Sequence, residues 1–212
     1  MSDNQSMPSI DSLFEDLRHP NPRIQEEASL ILSEHYQEEA LPMLLELFCH
    51  QDPKVYRAAV KGIGFFGSSA FDPLIELYAT TENQTARRCC PKAFVQLFKN
   101  FPDQPFPDSV MQMLEQAIND TDMVVVQGAL MCLGQIGKQQ FKSEEAIKLL
   151  AKSLSSENVA LIFSASQALA DIPHPMAEVA LHALQDNNDD PLIQEAAQSA
   201  LARLQNLLNS RS

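Results

Sequence analysis

The side chains of this 212-residue sequence that can do chemistry are few: four cysteines, five histidines and one cluster of cations. Cys49, Cys89, Cys90 and Cys132 form no C-x-x-C pair, and adjacent residues such as Cys89 and Cys90 point in different directions. Such thiols read as small buried hydrophobes in a reducing compartment. Cys90 falls at a core position of the repeat described below. Cys89, beside Arg87, Arg88 and Lys92, stays open to two readings. It is a buried thiol, or one made reactive or metal-binding because neighbouring positive charge lowers its pKa. His19, His35, His50, His174 and His182 make no H-x-x-x-H or H-E-x-x-H pair, and Cys49 beside His50 diverges from it by about 100° on a helix. No nucleotide-binding glycine loop and no nucleophile elbow is present. Gly62, Gly64 and Gly67 mirror Gly134 and Gly137, which points to helix packing and termination. The acidic tract from Asp186 to Asp190 lacks calcium-loop spacing and reads as a turn with a helix cap.

The cations are organised differently. Arg57 and Lys61 stand four residues apart, as do Arg88 and Lys92, with Lys54 and Arg87 close by. Residues 51–100 hold seven Lys/Arg against four Asp/Glu, a balance of +3 in a chain of net charge −13, so the remainder carries −16. A basic patch in an acidic protein can steer and hold a carboxylate-bearing partner; its plainer alternative is a solvated helix face. The overall acidity argues against general nucleic-acid binding. No run of about 18 apolar residues is available to span a membrane, and Met1 to Asp11 has no signal-peptide pattern, so a cytoplasmic protein is expected.

The elements that position these residues repeat. Asn21, Asp52, Asn83, Asp122, Asn158 and Asp190 are all Asp or Asn, the best acceptors for free amides at a helix start. Pro22, Pro53 and Pro191 follow three of them, at the first helical position. Three residues after each cap come Ile24, Val55, Ala86, Val125, Leu161 and Ile193; seven after, Ala28, Ala59, Cys90, Ala129, Ala165 and Ala197; eleven after, Leu32, Ile63, Phe94, Leu133, Leu169 and Leu201. That is one apolar stripe with a small residue at its centre, which lets neighbouring helices approach closely. Each such helix follows another amphipathic segment, and the caps are spaced 31, 31, 39, 36 and 32 residues apart. The fold expected is all-α: an α-solenoid of about six HEAT-like helical hairpins in a right-handed superhelix. A single solenoid is expected over residues 10–208, with flexible ends at 1–9 and 209–212 and an insertion loop at 100–107 carrying Pro102, Pro105 and Pro107. Pro91, inside the third of these helices, is expected to kink or restart it.

In such arrays the second helix of each pair commonly lines the binding face. Positions five and nine after each cap point into it. Repeats two and three then present Arg57, Lys61, Arg88 and Lys92, with Arg87 nearby; farther along, Gln127, Met131 and Phe163 make the face more apolar.

On Leu13-Phe14, His19-Pro20-Asn21-Pro22, the segment Tyr56 to Lys61 and the loop Phe101 to Pro107, the sequence resembles the phycobilin lyase HEAT-like family of cyanobacteria and red algae, closest to its CpeZ-type branch. The resemblance covers nearly the whole chain. It implies help with covalent attachment of a linear tetrapyrrole to a cysteine of a phycobiliprotein, as a bilin lyase subunit or a chaperone-like partner. It implies a phycobiliprotein subunit or a second HEAT-like lyase subunit as partner, no intrinsic cofactor, and a transiently held phycobilin. Arg57, Lys61, Arg88 and Lys92 would then hold bilin propionates or an acidic phycobiliprotein surface. The resemblance brings no catalytic motif, and no turnover is expected from this chain alone. It also leaves open a partner role for an A-type iron–sulfur carrier protein, and an adaptor role in phycobilisome degradation. Repeat three departs from the pattern at Cys89-Cys90-Pro91.

Overall fold

A computed structural model of the chain describes residues 7–139 and 141–210. The flexible ends expected at 1–9 and 209–212 therefore lie largely outside the described residues. Within them Pro8 already accepts a hydrogen bond from the Tyr36 hydroxyl at 2.8 Å, and Asn209 is still helical.

All regular structure among the described residues is helical, in two compact units that divide between Asn100 and Phe101. The first unit contains α1 (Ile10–Asp16), α2 (Pro22–His35), α3 (Gln37–Glu46), α4 (Pro53–Ile63), α5 (Phe71–Thr80) and α6 (Gln84–Asn100). The second contains α7 (Asp108–Ala117), α8 (Met123–Gly137), α9 (Ser143–Ser153), α10 (Val159–Ala170), α11 (Pro175–Asp186) and α12 (Pro191–Asn209). Within each unit successive helices pair, and the second helices of the pairs touch one another: α2 with α4 and α4 with α6, then α8 with α10 and α10 with α12. Helix pairs stacked in this way are the HEAT/armadillo type of α-solenoid.

All six predicted caps form. The side chains of Asn21, Asp52, Asn83, Asp122, Asn158 and Asp190 accept from the amides of Arg23, Lys54, Ala86, Val124, Ala160 and Leu192 at 2.8–3.0 Å. A second acceptor precedes each one. His19 and His50 (through Nδ1), Thr81, Asp120, Ser156 and Asn188 each accept the amide of the cap two residues later, at 2.9–3.1 Å. Each inner helix thus starts in a small self-contained turn that satisfies amides the helix cannot. His19 and His50 have this structural task.

The apolar stripe is buried as its spacing dictates. All six residues at the small position and all six at the position four further on are buried. At the first position Ile24 and Leu161 are only half-buried, and Ile162 goes inward beside Leu161. The small position is what lets the helices approach. Gly134 continues that closeness on α8, where an added Cβ would come within 3.2 Å of the Ala168 Cβ on α10. Gly67 takes φ = 57°, a left-handed conformation that costs a glycine little.

Helix α6 runs through Pro91 as one element, with Pro91 buried inside it. The restart expected there does not occur, because tertiary burial of the Ala86, Cys90 and Phe94 face holds the helix across the missing amide. Residues 101–107 have no regular structure, as the prolines dictate. Phe106 is nevertheless buried and meets Phe141 edge-on, with centroids 5.3 Å apart. Lys142, in a left-handed conformation at φ = 57°, places its Nζ 5.7 and 5.6 Å from these two rings and pairs with Asp108 and Glu145. This clasp joins the start of α7 to the start of α9 inside the second unit.

Candidate functional site

Two faces arise from positions five and nine after the caps, one in each unit. In the first unit Arg57 and Lys61 are exposed on α4, while Arg88 and Lys92 are half-buried on α6. Lys61 also lines a cleft of about 230 Å³ with Gln25, Glu26, Phe65, Gln96 and Lys99. Among the described residues Arg57, Lys61, Lys92 and Lys99 form no ion pair with a carboxylate. Arg87 is placed differently. Its guanidinium donates to the Tyr78 carbonyl at 3.0 Å and to the Tyr78 hydroxyl at 3.3 Å, and lies 4.4 Å from the centre of that ring. One residue around the helix from Arg88 turns it towards α5, where it fastens α6 to its pair.

In the second unit Gln127, Met131 and Phe163 come together. With Gln135, Lys138, Gln167, Asp171 and Arg203 they line a cleft of about 520 Å³ across α8, α10 and α12. Met131 is 58% exposed and Phe163 36%. At one end of the cleft Asp171 lies between Lys138 at 3.4 Å and Arg203 at 2.6 Å. Sequence reasoning stopped at offset nine and missed these residues. Offsets 13 and 16 continue the same helical face and carry Gln96, Lys99, Gln135, Lys138, Asp171 and Arg203.

The cysteine question resolves towards burial. Cys89 is 1% exposed, and its pKa is pushed up from the ordinary 9.0 to about 11, chiefly by burial, against the smaller lowering by Lys92. Burial also raises Cys90 and Cys132. Lys92 does pull the Cys89 pKa down, but desolvation of the thiolate outweighs it. Cys49 alone is exposed. Among the described residues no group of three or more His, Cys, Asp or Glu side chains is arranged to hold a metal ion, and no helix is long and apolar enough to cross a membrane.

A raised thiol pKa has a signed consequence for stability. Below about pH 9 both folded and unfolded chains keep the Cys89 proton; above it the unfolded chain loses the proton first, so stability falls with pH up to about 11. The denaturation midpoint of the wild type is therefore expected to drop more steeply from pH 8.5 to pH 11 than that of Cys89→Ala. Equal slopes for the two proteins would show that Cys89 is not held as a buried thiol.

Comparison with known proteins fits this geometry. The HEAT repeats family matches residues 10–90 and 110–202. The "Bilin biosynthesis protein CpeZ" of Synechococcus sp. (strain WH8020) is 40% identical over 185 residues, 87% of this chain and 100% of that protein. This chain belongs to the phycobilin-lyase-associated family of HEAT-repeat proteins. A second relative, the "Uncharacterized phycocyanin operon protein Z" of Pseudanabaena tenuis (strain PCC 7409), is 31% identical over 199 residues, 93% of this chain and 96% of that one. Among solved structures, a designed armadillo repeat protein in complex with the peptide (KR)4 superposes with a TM-score of 0.53 at 15% identity, covering 93% of this chain and all of the other. An engineered protein superposes with a TM-score of 0.51 at 18% identity, covering 94% of this chain and 98% of the other. These two likenesses concern the fold.

Proposed function

We propose that this chain is an interaction scaffold in covalent bilin attachment to a phycobiliprotein, acting in the cytoplasm as a lyase subunit or chaperone-like partner without turnover of its own. The observation that carries the reading is the 40% identity that spans the whole of the CpeZ relative, a protein named for bilin biosynthesis. The inner-helix faces suit the role. Arg57, Lys61, Arg88 and Lys92 offer cations to bilin propionates or to an acidic protein surface, and Gln127, Met131 and Phe163 offer an open amphipathic cleft. A phycobilin is here a cargo, held in transit. No feature of the structure favours the iron–sulfur-carrier or degradation-adaptor alternatives over this one.

The test is affinity capture of the tagged protein from a cyanobacterial lysate, beside an Arg57→Glu/Lys61→Glu variant. Recovery of phycobiliprotein subunits or of a second HEAT-like subunit, reduced by about tenfold or more in the variant, is expected. Recovery of an iron–sulfur carrier in their place would overturn the assignment.

A further inference from the structure

The segment that carries α4 to α6 differs from the rest of the molecule in sign. Residues 51–100 carry +3, while the other residues carry −16. Yet four cations of the α4–α6 face are not spent on the chain's own acids. Arg57, Lys61, Lys92 and Lys99 have no carboxylate partner among the described residues, although 28 Asp and Glu are available in the sequence. In the second unit Lys138, Lys142, Lys152 and Arg203 are ion-paired within that unit, with Lys148 the exception among its described cations.

The arrangement has a spacing. Arg57 and Lys61 lie one turn apart on α4, as do Arg88 and Lys92 on α6, a rise of about 6 Å in each case. Helices α4 and α6 are in contact, and packed helix axes lie about 8–10 Å apart. An extended chain advances about 6.6 Å per two residues and presents alternate side chains to one side. It therefore sets alternate carboxylates at close to the one-turn spacing of Arg57 and Lys61. The cleft of about 230 Å³ prolongs the arrangement along the same face, with Lys61 and Lys99 on its wall and Gln25 and Gln96 as further polar lining; Glu26 is its one acid.

We infer that the α4–α6 face, with the Lys61–Lys99 cleft at its end, is a docking site for an extended acidic segment of a partner protein, with its carboxylates seated on Arg57, Lys61, Lys92 and Lys99. This rests on the scaffold reading above and specifies the chemistry that the partner must present. Charge complementarity argues for the occupant: an acidic chain is repelled by the net −16 of the remaining residues and attracted to this face. Attraction of this kind weakens with salt, because exposed charges are screened beyond about 8–10 Å at physiological ionic strength.

Fluorescence anisotropy of a labelled alternating Glu-Ser peptide, with the Gln-Ser peptide as control, tests the inference on the purified full chain. The Glu-Ser peptide is expected to bind, to weaken as salt rises, and to lose about tenfold or more in affinity in Arg57→Glu/Lys61→Glu, while Gln-Ser binds neither protein. Both substituted side chains are exposed, so the melting temperature of the variant serves as a control for folding. Equal binding of Glu-Ser to both proteins, or no binding at all, overturns the inference. Two other occupants also overturn it. One is a second copy, seen as a salt-sensitive dimer in sedimentation that the variant abolishes. The other is biliverdin, bound with dependence on Arg57 and Lys61 while the Glu-Ser peptide is ignored. No bilin transfer or phycobiliprotein enters the peptide measurement, so its failure and that of the scaffold reading are separately visible.

Discussion

Phe94→Ala is expected to lower the stability of the protein by about 3–5 kcal/mol, the range for emptying a fully buried aromatic site. Phe94 occupies the position eleven residues after the Asn83 cap and is 0% exposed. It is also the centre of a ring cluster. Its centroid lies 6.1 Å from Phe71 and 6.1 Å from Phe98, and those two are 6.0 Å apart. Truncation therefore removes contacts to both α5 and α6 and leaves a void that two flanking rings cannot fill without leaving their own positions. Urea denaturation checks this. A midpoint shift amounting to less than about 1 kcal/mol would mean that the cluster closes over the void.

Gly64→Leu is expected to be nearly as costly, for the opposite reason. A Cβ at Gly64 would stand 2.6 Å from the Gln96 Cβ and 3.0 Å from the Lys61 carbonyl oxygen. The first of these atoms is tied directly to the α6 backbone, so the clash cannot be relieved by a side-chain rotation. The end of α4 and the last turns of α6 must separate, and the Asn100 amide that donates to the Gly64 carbonyl at 2.9 Å would be drawn away. Overpacking of this kind costs about 1–3 kcal/mol, and the larger side chain raises that further. The same displacement alters the wall of the Lys61–Lys99 cleft. Gly64→Leu is thus expected to lower both the denaturation midpoint and the affinity for the Glu-Ser peptide. A midpoint equal to that of the wild type would show that α4 and α6 are not in close contact there.

What could be read in advance follows the range of each interaction. The caps and the small position were legible because a helix start and a helical face are decided within a dozen residues. Asn21 to Asp190 behave alike for that reason, and so do Ala28 to Ala197. The second acceptor before each cap was visible in the same sequence but disguised by its chemistry. It is His in two repeats and Thr, Asp, Ser or Asn in the others, united only by an acceptor atom at the right reach. Arg87 illustrates the limit. Its charge placed it with Arg88, whereas its direction was settled by Tyr78, a residue of the preceding helix. Cys89 illustrates another, since charge is visible in a sequence but desolvation depends on what the fold lays over the thiol. The Lys142 clasp joins residues more than thirty positions apart and had no local signal.

We propose that the chain assists bilin attachment through its inner-helix face and does not perform it. The most direct measurement supplies a purified apo-phycobiliprotein, its bilin and a second HEAT-like lyase subunit, and scores covalent thioether adduct by mass spectrometry with and without this chain. The account predicts no adduct from this chain alone, more adduct when it joins the second subunit, and loss of that gain in Arg57→Glu/Lys61→Glu. Adduct formed by this chain alone, or a yield indifferent to its presence, would contradict it.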